Sequence, residues 1–172
     1  MIDHQLPPDS VAKFAQVKLL ALDVDGVLTD GGLYYMETGE ELKKFNVKDG
    51  LGLKRVMQQG IVVAILSSSS AQATLHRVQR LGITYVFIGV EDKLVQLRVL
   101  CKKLGIDLVQ VAYVGDDLVD LAAMQAVGCP IAVADAMAEN QAAAIYITQR
   151  RGGEGAVREV CDLLISAIGL PA

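Results

Sequence analysis

The feature that most constrains this chain is the run Val17 to Leu22, apolar except for Lys18, which stops abruptly at Asp23-Val24-Asp25-Gly26-Val27-Leu28-Thr29-Asp30. A short apolar run that ends in carboxylates spaced i, i+2 reads as a buried parallel strand delivering acids to its C-terminal edge. In open α/β sheets that edge is where ligands bind. Residues i and i+2 of a strand point to one side, so Asp23 and Asp25 can face one site, and Gly26 lets the backbone turn behind them. Two carboxylates beside a hydrophobic core are costly unless a cation or a shared proton relieves them, and a bound Mg²⁺ is the simplest relief.

At 172 residues the chain is long enough for one domain with a proper core and short for two, so the expectation is a single domain over 1–172. It is 52% hydrophobic but only 5% aromatic, without Trp, which favours helices packed on a buried parallel sheet. The net charge of −4 and the lack of a basic block argue against nucleic-acid partners. Cys101, Cys129 and Cys161 are widely spaced in apolar surroundings and read as reduced core thiols. Met1 to Ser10 carries Asp3, His4, Pro7, Pro8 and Asp9 before any apolar run, unlike a signal peptide, and no stretch is long enough to span a bilayer. The expectation is a cytoplasmic protein with no membrane partner.

Along the chain, strands and helices alternate. Leu33 to Met36 and Glu41 to Asn46, around a turn with Gly39, predict a β-hairpin over about residues 32–46. Helices are expected at Lys48–Gln59, Ala71–Leu81, Asp92–Leu104, after Asp117 to Ala126, and Gly155–Ile168, with Gly60, Gly82 and Gly105 as stops. Strands are expected at Ile61–Leu66, Tyr85–Ile88, Val109–Val114 and Ile131–Ala134. Such alternation implies right-handed βαβ units and a doubly wound sheet: a three-layer α/β/α, Rossmann-like parallel sheet with a protruding hairpin and no cap domain.

Chemistry recurs at successive strand ends: Asp23 and Asp25 after the first, Ser67 after the second, Lys93 after the third, Gly115-Asp116-Asp117 after the fourth. Each has a bland reading alone. Asp117 reads as a helix cap, Ser67 to Ser70 as a polar loop, Lys93 as a solvated helix residue. Together they gather acids, a hydroxyl and an ammonium at one edge, which packing alone does not require.

DVDGVLTD, Ser67, Lys93 and GDDLVD resemble the motifs of the haloacid dehalogenase superfamily, in its Mg²⁺-dependent phosphatase branch. FNVKDGLGLK from Phe45, AYVGDDLVD from Ala112 and GGEGAVREVCDLL from Gly152 resemble, more narrowly, the capless 3-deoxy-D-manno-octulosonate 8-phosphate phosphatases. The resemblance implies hydrolysis of a sugar-acid phosphate through an aspartyl-phosphate, in lipopolysaccharide precursor synthesis. It implies Asp23 as nucleophile, Asp25 as general acid and then base, and Ser67 and Lys93 as phosphate holders. It implies Mg²⁺ held by Asp23, the Asp25 backbone carbonyl and Asp116. Substrate contacts would be Asn46, Val47, Lys48, Asp49, Gly50, Lys54 and Arg77, although Lys54 reads equally as a solvated helix charge. Asp120 reads as a helix-surface residue or one behind the ligands, and His4 and His76 as surface residues. The resemblance also implies a homotetramer in which the hairpin of one protomer covers a neighbour's site, with Tyr34, Tyr35 and Met36 at subunit contacts.

Two departures bear on the substrate. Ser67-Ser68-Ser69 stands where the family has Thr-Gly-Arg, keeping the hydroxyl but losing a cation at Ser69, and Glu154 stands where a basic residue is common. An acylneuraminate-type 9-phosphate is therefore the alternative substrate. A catalytically silent relative and a receiver-like signalling domain are the alternatives of another class.

Overall fold

The computed structural model describes residues 8–168. Six parallel strands form one sheet: β1 Leu19–Leu22, β4 Val62–Leu66, β5 Tyr85–Phe87, β6 Val111–Gly115, β7 Cys129–Ala132 and β8 Tyr146–Ile147, in the order β5-β4-β1-β6-β7-β8. The helices are α1 Pro8–Ala15, α2 Val47–Gln58, α3 Gln72–Leu81, α4 Lys93–Leu104, α5 Leu118–Ala126, α6 Ala138–Ala143 and α7 Ala156–Ile168. β2 Tyr34–Tyr35 and β3 Glu41–Leu42 form the antiparallel hairpin, closed by Gly39 at φ +83°. The α/β architecture is the one expected; ends of the expected core elements shift by a residue or two, β3 is shorter than the run Glu41 to Asn46, and α1, α6 and β8 are additional.

β1 is buried along its whole length because it lies inside the sheet with helices on its faces. α2 packs on α7 and α7 on α1, while α4, α5 and α6 pack in series. Gly82 and Gly105 adopt left-handed backbone and end α3 and α4 as anticipated. All three cysteines are buried and free. No described helix is long and apolar enough to cross a membrane.

The strand order fixes where a ligand can sit. From β1 the chain moves outward through β4 to β5, then returns to β6 on the other side of β1 and moves outward again. The crevice where the winding reverses opens at the C-terminal ends of β1 and β6. Those ends carry Asp23 and Asp116.

Candidate active site

The loop after β1 is a tight turn. The amides of Val27, Leu28 and Thr29 all donate to the Val24 carbonyl, and the buried Thr29 Oγ1 accepts from the amides of Gly26 and Gly31. Gly26 sits at φ +78°, and a Cβ there would lie 1.9 Å from Asp116 Oδ2. Glycine is thus what lets the loop from β1 and the carboxylate after β6 approach each other. The two loops and the serines after β4 border an open cleft of about 250 Å³ lined by Asp23, Asp25, Gly26, Gly31, Ser67, Ser68, Ser69, Asp116, Asp117 and Val119.

Asp23 is buried and doubly held. The Val24 amide donates to its Oδ1 at 2.7 Å, and Lys93 Nζ lies 2.8 Å from its Oδ2. Lys93, at the start of α4, is itself buried and also donates to Asp120 Oδ1 at 2.7 Å. Asp120 further accepts from the Tyr113 hydroxyl at 2.8 Å and from the amides of Asp116 and Asp117. Asp120 is fully buried, so of its two readings the helix-surface one is corrected and the one behind the ligands agrees with its contacts. One side chain on the first turn of α5 orients the lysine, a tyrosine of β6 and the backbone that carries Asp116.

The charges do not balance within the protein. Burial first, then repulsion from Asp120, pushes Asp23 up to about 7, against the pull of Lys93. Burial and repulsion from Asp23, Asp120 and Asp117 push Asp116 up to about 8. Oxygens of Asp23, Asp116 and Asp120 lie within 4.8 Å of one another. Those of Asp120 are already spent on donors, whereas the buried Asp116 Oδ1 has no hydrogen-bond partner among the described residues. A hard divalent cation between Asp23 and Asp116 would satisfy that oxygen and relieve both acids, so the residues fit Mg²⁺.

The other expected site residues divide. Ser67 is buried at the end of β4 and lines the cleft, its Oγ accepting from the Ser69 amide. Ser69 Oγ accepts from the Ala71 amide at the start of α3, so that position serves the loop's own turn. Asp117 caps α5, as its bland reading held. His76 is exposed, and His4 lies outside the described residues.

None of Asn46, Val47, Lys48, Asp49, Gly50, Lys54 and Arg77 lines the cleft. Asn46 caps α2 and donates to the Gly153 carbonyl. Asp49 is buried, and its Oδ1 accepts from the Arg158 amide in the first turn of α7. Burial raises Asp49 to about 6. Arg77 donates to the Asn46 carbonyl and lies over the Phe45 ring at 5.8 Å, with Gly50 leaving it room. Val47, Lys48 and Lys54 are exposed. Sequence reasoning missed Lys43, whose Nζ contacts Asp25, and the roles of Thr29 and Tyr113. The spacing of Asp116 and Asp120, one helical turn apart, carried a signal for Asp120; Lys43 beside Lys44 looked like ordinary hairpin charge.

Among known proteins, a profile of the haloacid dehalogenase-like hydrolases matches residues 89–160. The chain is 48% identical over 161 residues to the 3-deoxy-D-manno-octulosonate 8-phosphate phosphatase KdsC of Escherichia coli (strain K12), covering 94% of this chain and 86% of that protein. Its fold matches the crystal structure of the Moraxella catarrhalis 3-deoxy-D-manno-octulosonate 8-phosphate phosphatase, a complex with a magnesium ion, a phosphate ion and a KDO molecule. There the TM-score is 0.91 at 45% identity, over 92% of this chain and 91% of that one. The Yersinia pestis phosphatase of the same name matches with a TM-score of 0.92 at 45% identity, over 94% of this chain and 87% of that one.

Proposed function

This chain belongs to the haloacid dehalogenase-like hydrolases, in the family of the 3-deoxy-D-manno-octulosonate 8-phosphate phosphatases, and from that premise we propose that it hydrolyses this sugar-acid phosphate to the free acid and inorganic phosphate. It is a Mg²⁺-dependent phosphoric monoester hydrolase serving lipopolysaccharide precursor synthesis. The observation that carries the reading is the meeting of Asp23, Asp25, Ser67 and Asp116 in one cleft at the switch point, with Lys93 buried against Asp23.

Asp23, the Asp25 backbone carbonyl and Asp116 are the residues we assign to Mg²⁺. When bound, the ion would supply charge compensation for the acids and the phosphate together. The protein's own groups do the rest. A carboxylate oxygen of Asp23 attacks phosphorus as the bond to the sugar oxygen breaks, giving an aspartyl-phosphate. Asp25 donates its proton to the departing sugar oxygen, then takes one from the water that attacks phosphorus and frees Asp23. Lys93 holds Asp23 in place and offers a point charge to the phosphate, and the Ser67 hydroxyl donates to a phosphate oxygen.

Selectivity is assigned to the rim. Lys48, Lys54 and Arg77 are cations on the hairpin side and could meet a substrate carboxylate; for Arg77 that would mean leaving Phe45 and the Asn46 carbonyl. The open cleft calls for an enclosing surface, and we assign that to a hairpin from another protomer in a homotetramer. Leu33, Tyr34, Tyr35, Met36 and Leu42 are all exposed on the hairpin, which supports that reading. We place the enzyme in the cytoplasm. A phosphate-release screen across eight- and nine-carbon sugar-acid phosphates and simple sugar phosphates tests the substrate. The octulosonate 8-phosphate is expected to give the highest kcat/KM, and a faster nine-carbon ester would move the assignment to the acylneuraminate type.

A further inference from the structure

The hairpin's return strand reaches the catalytic loop through one side chain. Residues 31–40 are all exposed, yet Lys43, directly after β3, has its side chain only 2% exposed. Its Nζ lies 2.5 Å from Asp25 Oδ1 and 2.8 Å from Glu41 Oε1. Among the described residues, Lys43 is the one side-chain donor to the Asp25 carboxylate. One oxygen of Asp25 is thereby engaged, its other oxygen has no such donor among the described residues, and the residue lines the cleft.

Two features separate this pair from an ordinary surface ion pair, which contributes little. The ammonium is covered, so solvent does not screen it as it would an exposed lysine. It is also held from its own strand by Glu41, a second anchor besides Asp25. A preplaced cation that grips one oxygen of a carboxylate restricts rotation of that carboxylate. For a group that must deliver a proton to one oxygen, fixed orientation is where rate is gained or lost.

We propose that Lys43 is a positioning residue for the proton-transfer step, holding Asp25 so that its free oxygen faces the leaving group. The inference rests on Asp25 being the acid and base of the reaction given above. It gives the hairpin two roles at two sites: its tip is assigned to a neighbour's cleft, while its return strand carries the cation that aims its own chain's proton donor.

The test is kcat/KM, which reports the steps up to departure of the alcohol, across phosphate monoesters graded from nitrophenyl to alkyl leaving groups. In Lys43→Met the loss is expected to be about a hundredfold for alkyl and sugar-acid esters, but under about threefold for the nitrophenyl ester, which leaves without a proton. Lys43→Arg, which keeps a cation on a long stem, should recover at least about tenfold of the alkyl rate. Should Lys43→Met not fold, Lys43→Gln is read in the same way. A loss equal across the series, no loss at all, or an Arg variant as poor as Met would overturn the inference while leaving the phosphatase reading intact. Wild-type protein that releases phosphate from none of these esters would overturn that reading, and the inference with it.

Discussion

Asp23 and Asp116 are legible in the sequence as residues and illegible as electrostatics. The end of an apolar run announces an acid at a strand edge, but only the closed loops show that both acids are raised, Asp23 to about 7 and Asp116 to about 8. Because these folded-state values lie above the ordinary 3.8, the folded metal-free protein binds more protons than the unfolded chain between about pH 4 and 8. The stability held below that window is therefore lost as pH rises through it. Thermal melts of chelator-treated protein should show Tm falling from pH 5 to 8, and Mg²⁺ should raise Tm more at pH 8 than at pH 5. Asp116→Asn should flatten both trends; a Tm that rises with pH in the metal-free protein would contradict them. The residues expected to contact substrate are legible as a pattern but not in what they hold within the protein. Asn46 and Asp49 lie in a stretch similar to the family's and Arg77 lies on α3, and pattern alone does not reveal that Asp49 accepts from the first turn of α7 while Arg77 donates to the Asn46 carbonyl. Asp49→Ala should cost about 1 kcal/mol of stability in denaturant melts, the size of a lost helix cap, with KM unchanged.

At the scale of elements, the main strands and helices follow from apolar runs and glycine stops, and three elements do not. α1 buries Phe14 with little else apolar, so its pattern is thin. α6 has no apolar stripe; it is fastened by polar groups, Asn140 Nδ2 to the Asp117 carbonyl and Gln141 Nε2 to the carbonyls of Ala134 and Ala136. β8 is two residues long and exists because β7 offers it an edge. The loop before α7 was read for its Glu154, but its glycines matter more to the site. A Cβ on Gly152 would lie 1.7 Å from the Gly26 carbonyl oxygen, and the Gly153 amide donates to the Val27 carbonyl. This loop packs directly against the turn that follows Asp25. Gly152→Ala should push the catalytic loop aside and lower kcat by about a hundredfold, as misplacement near 1 Å does, in protein whose circular dichroism stays α/β. A kcat within twofold of wild type would show that the loop bends without consequence.

At the scale of the molecule, strand order decides more than any motif, because the reversal of winding between β1 and β6 gathers residues distant in sequence at one crevice. What no single chain displays is how that crevice is closed. If hairpins of neighbouring protomers close it, Tyr35→Glu should dissociate the assembly in sedimentation and lower kcat/KM for the sugar-acid phosphate far more than for nitrophenyl phosphate. A wild-type protein already monomeric at assay concentration, yet selective, would refute that arrangement.

The central claim is that the acids at this sheet edge form a metal-dependent phosphatase site with Asp23 as its nucleophile. Phosphate release from 3-deoxy-D-manno-octulosonate 8-phosphate, measured for wild type and Asp23→Asn with Mg²⁺ and with excess chelator, tests it most directly. The expected result is turnover by wild type with Mg²⁺, silence in chelator that added Mg²⁺ reverses, and a folded Asp23→Asn slower by about a thousandfold or more. Release that persists in excess chelator, or an Asp23→Asn variant near the wild-type rate, would contradict it.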